Sequence, residues 1–297
     1  MSAWVILAIS AAAFQTLRFV LQKHLSMGTL SVGGATFARF AYSMPFVLVL
    51  AAAYLWQMDE ALPRLGPLFW TYALAGGLAQ ILATWCMVAL FAARNFAVGI
   101  SFKKTETVQT ALIGLVVLGD RVSPLGMAAI LIGLVGVIIL SGGVGADRWR
   151  IFNRAAALGL IAGALFAVSA VGYRGATLEV ASDDALMRAL ITLAAVTTSQ
   201  ALGMALWLRW REAGEIGRVI AARRTAVWMG LTGLGGSLCW FTAFTLQNAA
   251  YVFAAGQVEV IFSLIAARVF FGERITPREG VGVALVSCSV LAVGFFR

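Results

Sequence analysis

The chain has 297 residues, of which 61% are hydrophobic and only 12% are charged. A soluble domain carries about 25% charged residues, so this composition excludes a water-soluble enzyme. The net charge of +9 comes from 22 Lys and Arg against 13 Asp and Glu, and on so apolar a chain we assign the excess to loops beside anionic lipid and not to a nucleic-acid surface.

Apolar segments of membrane-spanning length follow one another along the whole chain, and each can cross a bilayer as a helix of about 20 residues. Only a helix satisfies its backbone hydrogen bonds within one segment in lipid, and these segments are too long and too uniformly apolar for barrel strands. The sequence therefore predicts an all-α integral membrane protein. The ten predicted transmembrane helices are 3–22, 34–56, 68–91, 96–118, 124–141, 155–173, 185–208, 225–246, 250–271 and 277–296.

The chain contains an internal repeat. Residues 119–124, GDRVSP, match residues 272–277, GERITP, in kind at six consecutive positions, 153 residues apart. The same shift pairs Glu106 with Glu259 and extends the match over three helices. Five helices per repeat is an odd number, so the second repeat enters the membrane inverted, as in many alternating-access carriers. The two predicted inverted five-helix repeats, within one membrane domain, are residues 1–145 and 146–297.

The run LGDRVSP at residues 118–124, with its echo at residues 271–277, is similar to the duplicated motif of EamA-type transporters in the drug/metabolite transporter superfamily. The resemblance covers the whole chain in length, number of spans and division into halves. It implies a ten-helix inverted-repeat carrier for small metabolites, and within the family the chain resembles the group that exports aromatic amino acids. One departure is Lys103-Lys104 in the fourth span, where we expect small and aliphatic residues in much of the family.

Basic side chains inside the predicted spans are interpreted by their depth. Arg18 and Arg39 lie within about 8 Å of a span end, at 1.5 Å per residue, and a long side chain covers that distance by snorkelling to the interface. We apply the same interpretation to Arg188, which a slightly different shift aligns with Arg39, and to Arg268 and Arg278.

Glu106 and Glu259 lie near the membrane midplane, about 15 Å from the span ends, and a carboxylate cannot snorkel that far. Each should therefore pair with a cation, face a polar cavity or be protonated. Lys103 lies three residues before Glu106, so pairing of these two is the favoured interpretation. Because Lys103 and Lys104 are about 100° apart on a helix, we expect only one of them to face a cavity.

Polar and aromatic residues on the inner faces of several helices are candidates for binding a substrate. The first helix carries Gln15, Arg18 and Gln22 on one face. Together the candidates offer an amino acid a cation for its carboxylate, an acid for its ammonium group and aromatic rings for its side chain. The residues for these three roles are Lys103 or Arg18, Glu106 or Glu259, and Trp240 with Phe244. The alternative interpretation is that the polar residues only bond neighbouring helices and the aromatic residues only pack. The predicted substrate-binding residues are Gln15, Gln80, Thr84, Lys103, Glu106, Gln109, Trp240, Phe244, Glu259 and Ser263.

We therefore predict a secondary transporter, not an enzyme, that exports small metabolites by alternating access, with aromatic or other hydrophobic amino acids as first candidates. His24 is the only histidine and no nucleotide-binding motif is present, so we expect no catalytic residue, no metal and no other cofactor. The expected partners are a small-molecule substrate and membrane lipid, without nucleic acid, and two joined repeats can work as a monomer. Two alternatives stay open: a carrier of anionic metabolites such as sugar phosphates, for which Lys103-Lys104 is the reason, and a membrane-embedded lipid-modifying enzyme.

The distribution of charge predicts an orientation in a cell inner membrane. Loops after odd-numbered spans hold eleven Lys and Arg, against four in the other loops and both tails. The positive-inside rule then places both termini outside the cell membrane. The family resemblance implies the reverse, with both termini in the cytoplasm.

Overall fold

The computed structural model describes residues 2–91, 103–140, 154–262, 265 and 277–295. Within these ranges the chain forms eleven α-helices and no strand. The prediction of an all-α protein is thereby confirmed.

The helices follow the apolar segments of the sequence. In chain order they are α1 (Ala3–Gly28), α2 (Val32–Met58), α3 (Pro67–Phe91), α4 (Glu106–Leu118), α5 (Pro124–Leu140), α6 (Arg154–Leu178), α7 (Ala185–Arg211), α8 (Glu215–Ala221), α9 (Arg223–Leu246), α10 (Ala249–Gly256) and α11 (Pro277–Phe295). Helices α3, α5 and α11 begin with proline, whose missing N–H has no partner to lose in a first turn. Helix α4 ends at Gly119, which adopts the left-handed conformation with a φ of 70°, as is common just after a helix.

Five helices within the described ranges are long and apolar enough to cross a membrane, namely α2, α3, α6, α7 and α9. Each lies within a predicted span or extends it by a few residues, and the chain is a multi-pass membrane protein. The shorter apolar helical segments of the described residues also coincide with predicted spans. These segments are Ala3–Phe19, Glu106–Leu118, Pro124–Ile139, Ala249–Phe262 and Gly280–Gly294.

The fourth and ninth predicted spans each contain a break in the helix, so the prediction of continuous helices is wrong at these points. The first break is a turn at residues 104–105, and helix resumes at Glu106. The second break is a turn at residues 257–258, and helix resumes at Glu259. Each break therefore stands directly before one of the two glutamates, Glu106 and Glu259.

Close packing and local hydrogen bonding account for the two breaks. At the first break, a Cβ placed on Gly163 of α6 would lie 2.8 Å from the carbonyl oxygen of Lys103, so α6 packs directly on the backbone there. At the second break, the N–H groups of Gln257 and Val258 bond to carbonyl oxygens three residues back. This is the tighter pattern that interrupts an α-helix.

The helices of the two halves pack on one another in reciprocal pairs. Helix α1 packs on α9 and α6 packs on α3, while α2 packs on α7, α4 on α10 and α5 on α11. In the sequence repeat α6 is the counterpart of α1 and α9 is the counterpart of α3. Exchange of the two halves turns the pair α1–α9 into α6–α3 and leaves the pairs α2–α7 and α5–α11 unchanged, while the counterparts of α4 and α10 lie mostly outside the described residues. All five of these contacts join the halves.

The ends of α2 and α7 are bonded to the opposite half. Asp184 caps the start of α7, and its carboxylate accepts a hydrogen bond of 2.5 Å from the hydroxyl of Tyr54 near the end of α2. At the other end of this pair, Ser31 caps the start of α2, and its backbone N–H donates to the Glu215 carboxylate of α8 at 2.6 Å. The central pair of helices is thus held at both of its ends.

Arg39 and Arg188 do not occupy equivalent positions. Arg39 lies eight residues after the cap of α2 at Ser31, whereas Arg188 lies four residues after the cap of α7 at Asp184. Arg188 Nε donates to the carbonyl oxygen of Thr177 at 2.7 Å and so caps the end of α6, while Arg39 is buried in the interior. The alignment of these two arginines from the sequence is therefore wrong.

Candidate substrate site

A cavity lined by α1, α2, α3, α6, α9 and α10 lies between the two halves, and its space not filled by atoms is about 410 Å³, a figure that includes open solvent. A second space of about 280 Å³ adjoins it beyond Arg39 and Gln80, towards α7. The lining of the first cavity combines polar and charged side chains with aromatic ones. Its lining residues are Gln15, Arg18, Arg39, Gln80, Phe166, Ser169, Ala170, Tyr173, Ser237, Trp240, Phe241, Phe244 and Phe253.

Of the predicted site residues that the structure describes, four line this cavity: Gln15, Gln80, Trp240 and Phe244. Gln15 connects the cavity to the second break, because its Nε2 donates to the Glu259 carboxylate at 3.1 Å. The Oε1 atom of Gln15 accepts from Nε1 of Trp240 at 3.3 Å. One glutamine thus joins an acid, an aromatic ring and the cavity wall.

Two other predicted residues form hydrogen bonds within their own helical segments. Thr84 is buried, and its hydroxyl donates to the backbone oxygen of Gln80 at 2.8 Å. Gln109 donates from Nε2 to the hydroxyl of Thr105, one turn earlier, at 2.9 Å. Gln80 itself accepts from Gln200 of α7 at 3.0 Å. Three further residues of the sequence prediction lie outside the described part of the chain: Ser263, Arg268 and the side chain of Arg278.

Two buried ion pairs stand at the helix breaks. Lys103 Nζ lies 2.7 Å from Glu106 Oε1, and Lys104 Nζ lies 2.7 Å from Glu259 Oε2. The first pair is the one that the sequence spacing predicts. The expectation that one of the two lysines faces the cavity is wrong, because both are buried in ion pairs and neither is among the lining residues. The turn at the first break takes Lys104 out of helical geometry and directs it to Glu259 of the second half.

A further hydrogen bond joins the two breaks. Gln257, in the turn of the second break, donates from Nε2 to the hydroxyl of Thr107 at 3.1 Å. Lys104 reaches across in the opposite direction to Glu259. The breaks therefore face each other, and each half holds the other at this point.

Arg18 and Arg39 are 3% and 5% exposed and line the cavity, so the interpretation that they snorkel to the interface is wrong. Their distance from a span end gave no information on the face of the helix they occupy. Arg18 donates to Gln22 at 3.0 Å, and Arg39 donates to Ser237 at 3.3 Å. The polar stripe that Arg18 forms with Gln22 and Gln15 along an apolar helix was the available signal for its position.

Trp240, Phe244 and Phe253 form the aromatic wall of the cavity. The rings of Trp240 and Phe244 are stacked with centroids 5.7 Å apart, and Phe253 meets them edge-on at 5.4 Å and 5.5 Å. Gly256 leaves the room that this wall needs, because a Cβ there would overlap the Trp240 indole. The spacing of Trp240 and Phe244 on one helix made them visible in the sequence, whereas Phe253 comes from a different helix.

Residues of the repeated motif bond helix ends of the two halves together at one end of the molecule. Arg174 donates from Nε to Asp120 at 2.6 Å and from Nη1 to the carbonyl oxygen of Phe244 at 2.7 Å. The N–H of Ser123 donates to the hydroxyl of Tyr251 at 2.9 Å. Since Phe244 also lines the cavity, these bonds lie beside it.

Fold and site together define a multi-pass helical membrane protein with a polar and aromatic cavity between its two halves. Residues 153–295, the second half of the chain, match the EamA-like transporter family, as the resemblance of the repeated motif predicts. None of the curated proteins matches the chain, and the narrower group of aromatic amino acid exporters receives no support. Over its whole length the fold is similar to a solved crystal structure described only as that of a protein, with a TM-score of 0.72 at 15% identity, covering 99% of this chain and 97% of the other.

Proposed function

We propose that the protein is a secondary transporter, not an enzyme, that moves small metabolites across a membrane by alternating access. The observation that carries this proposal is the cavity, which is lined from both halves and adjoins two helix breaks at equivalent positions of the repeat. Discontinuous helices near the midplane are where inverted-repeat carriers bind their substrates. The family match over residues 153–295 favours a carrier over a lipid-modifying enzyme.

The proposed architecture has ten transmembrane helices arranged as two inverted five-helix repeats, residues 1–145 and 146–297. Five long apolar helices and five shorter apolar segments in the described ranges support this number. The helix pairs support the repeat, because exchange of the halves turns the pair α1–α9 into α6–α3 and leaves the pairs α2–α7 and α5–α11 unchanged. In such an arrangement each half can adopt the conformation of the other, which opens the cavity alternately to the two sides.

Amino acids with aromatic or other hydrophobic side chains are the first candidate substrates, exported through a cell inner membrane. The aromatic wall supports a hydrophobic side chain and the arginines support a carboxylate. We propose that Gln15, Gln80, Trp240 and Phe244 contact the substrate, while the lysine–glutamate pairs hold the breaks.

An anionic metabolite is the second candidate substrate. In the sequence the pair Lys103-Lys104 indicates an anionic substrate, but in the structure both lysines are paired with glutamates and so do not favour it. Arg18 and Arg39 now favour it instead, since both line the cavity.

Counterflow in proteoliposomes tests the transport function. Purified protein is reconstituted with unlabelled amino acid inside, and uptake of the radiolabelled amino acid is followed. We expect accumulation above that of protein-free liposomes, and we expect Trp240→Ala to reduce it at least about tenfold, the equivalent of about 1.4 kcal/mol of substrate interaction. The matched control is Trp210→Ala, at a tryptophan that is 79% exposed on the outer surface. A folded protein that moves neither amino acids nor organic anions contradicts the proposal.

The proposed orientation places the arginine-rich segment at residues 209–224 in the cytoplasm and both termini outside. In the structure this segment includes α8, which bonds to the start of α2 through Glu215. A reporter fused after Arg297 tests the orientation. Activity of a periplasm-dependent phosphatase is expected, and fluorescence of a cytoplasm-dependent reporter would contradict it.

A further inference from the structure

We propose, on the basis of the transport function above, that the cavity selects organic anions. It binds an aryl carboxylate more tightly than the amino acid with the same side chain, and it does not bind the corresponding amine. The carboxylate lies at Arg18 and Arg39, and the aromatic body lies on the wall of Trp240, Phe244 and Phe253.

The first support is an excess of positive charge around the cavity. The two lysines at the first break are each neutralised by a glutamate at 2.7 Å. Arg18 and Arg39 are equally buried, but among the described residues no carboxylate lies within ion-pair distance of either guanidinium group. Glu259 acts electrostatically on Arg18, but it is already paired with Lys104. Four buried cations thus stand against two carboxylates, and an excess of two positive charges is left for a ligand to neutralise.

The second support is the arrangement of the two arginines. Both side chains flank Gly233, where a Cβ would stand 3.3 Å from Cγ of Arg39 and 3.6 Å from Cδ of Arg18. Arg39 donates from Nη2 to Ser237, whereas its buried Nη1 has no hydrogen-bond partner among the residues that the structure describes. Like charges side by side repel, and a carboxylate next to them satisfies the open donor and removes the repulsion.

The third support concerns the carboxylate that the ammonium group of a ligand would need as its partner. No Asp or Glu is part of the cavity lining that the described residues form. Glu259, behind Gln15, already accepts from Gln15 at 3.1 Å and from Lys104 at 2.7 Å. An ammonium group in the cavity would lose its water beside two guanidinium groups and gain no carboxylate, which is unfavourable.

The fourth support is the apolar wall, which defines the rest of the ligand. Trp240 and Phe244 are stacked and Phe253 stands edge-on to both, so a further aromatic ring can stack or pack edge-on against the group. A ligand that satisfies both sides of the cavity carries a carboxylate on a short chain attached to an aromatic or bulky apolar body.

Isothermal titration of the purified protein with three ligands tests the charge selection. The ligands 3-phenylpropionate, phenylalanine and 2-phenylethylamine share a phenyl ring and a two-carbon chain, and at neutral pH they are an anion, a zwitterion and a cation. We expect 3-phenylpropionate to bind at least about tenfold more tightly than phenylalanine, about 1.4 kcal/mol at 25 °C, and we expect no measurable binding of the amine. Equal or tighter binding of phenylalanine or the amine, or no binding of any of the three, overturns the proposal.

Substitutions of Arg39 test whether the arginines are responsible for the selection of anions. Arg39→Gln should weaken binding of 3-phenylpropionate at least about tenfold, and Arg39→Lys, which keeps the charge but loses the planar fork, should give an intermediate affinity. The matched control is Arg211→Gln, at an exposed arginine at the end of α7, which should bind as the wild type does. Unchanged binding in a folded Arg39→Gln protein overturns the proposal, and if that variant does not fold, the Arg39→Lys variant and the wild-type ligand series decide.

Counterflow with the same ligands separates this proposal from the transport function. If 3-phenylpropionate binds most tightly but none of the three ligands accumulates in proteoliposomes, charge selection stands and the transport function fails. If the liposomes accumulate phenylalanine in preference to 3-phenylpropionate, the transport function stands and charge selection fails.

Discussion

The two helix breaks occupy equivalent positions in the two halves but carry different charges. Lys103 and Lys104 stand at the first break, whereas the residues 153 positions further on are Gly256 and Gln257. A glutamate follows each break. The first half therefore supplies the cations for both carboxylates, its own Glu106 and the Glu259 of the second half.

This difference shows that a repeated backbone permits a division of chemical roles. The second half has no lysine at position 256 because the Trp240 indole takes up that space. The first half thus provides the cations beside the cavity, and the second half provides its aromatic wall. Each half depends on the other, since the carboxylate of Glu259 would be buried without a cation if Lys104 did not reach across.

Loss of either glutamate at the breaks should have the largest effect on stability. Glu259→Gln leaves the Lys104 ammonium buried without its carboxylate, and Glu106→Gln does the same to Lys103, so we expect each to lower the free energy of unfolding by about 3–5 kcal/mol. The loss should be greater for Glu259, because its carboxylate also accepts from Gln15. Equilibrium unfolding of the purified protein in mixed micelles measures both.

The control for these variants is Glu60→Gln, at an exposed glutamate just after α2. It should change the free energy of unfolding by no more than about 0.5 kcal/mol. If Glu106→Gln and Glu259→Gln are both as stable as the wild type, the ion pairs do not stabilise the structure at the breaks.

The absence of a side chain at the second break is the next difference to test. Gly256→Ala places a methyl group against the Trp240 indole, and we expect it to destabilise the protein by about 1–3 kcal/mol and to reduce counterflow, since the ring must move into the cavity. Gly203→Ala in α7 is the matched control, because a Cβ there meets no atom within 4 Å. If Gly256→Ala behaves as Gly203→Ala does, the indole does not require the glycine.

The smallest expected effect concerns the neutral bond between the breaks. Gln257→Met removes the hydrogen bond to Thr107 while keeping a side chain of similar length, and neutral hydrogen bonds between helices in membranes contribute about 0.6 kcal/mol. Unfolding in the same micelles should therefore show a loss several times smaller than that of Glu259→Gln. A loss of equal size would contradict the assignment of the main role to the ion pairs.

Much of the fold is predictable from the sequence, because in lipid an apolar segment has few alternatives to a helix. The prolines predict where α3 and α5 begin, and the depth of Glu106 and Glu259 in the spans is predicted by counting residues from the span ends. The breaks before these glutamates are not predictable in the same way. The first break depends on the packing of Gly163 against the Lys103 carbonyl, and the bond from Lys104 to Glu259 joins residues 155 positions apart. No local pattern contains either contact.

The residues of the candidate site were also predictable only in part. Gln15 and Trp240 were found because each stands among polar or aromatic residues at helical spacing. Arg39 was missed because depth alone was used to interpret it, although a long side chain eight residues into a helix can reach either the interface or the interior. The neighbouring helix decides whether the side chain reaches the interface or the interior. Here Gly233 of α9 leaves space for the Arg39 side chain to turn inward.

A double-mutant cycle on Lys104 and Glu259 tests most directly whether the two halves are joined at the breaks. The free energy of unfolding is measured for the wild type, Lys104→Met, Glu259→Gln and the double variant. If the pair joins the halves, each single variant leaves a buried charge that the double variant lacks, and the coupling should be at least about 1.5 kcal/mol, with the double variant more stable than the sum of the single losses predicts. Additive losses, within about 0.5 kcal/mol, would contradict a direct interaction between the two halves at this point.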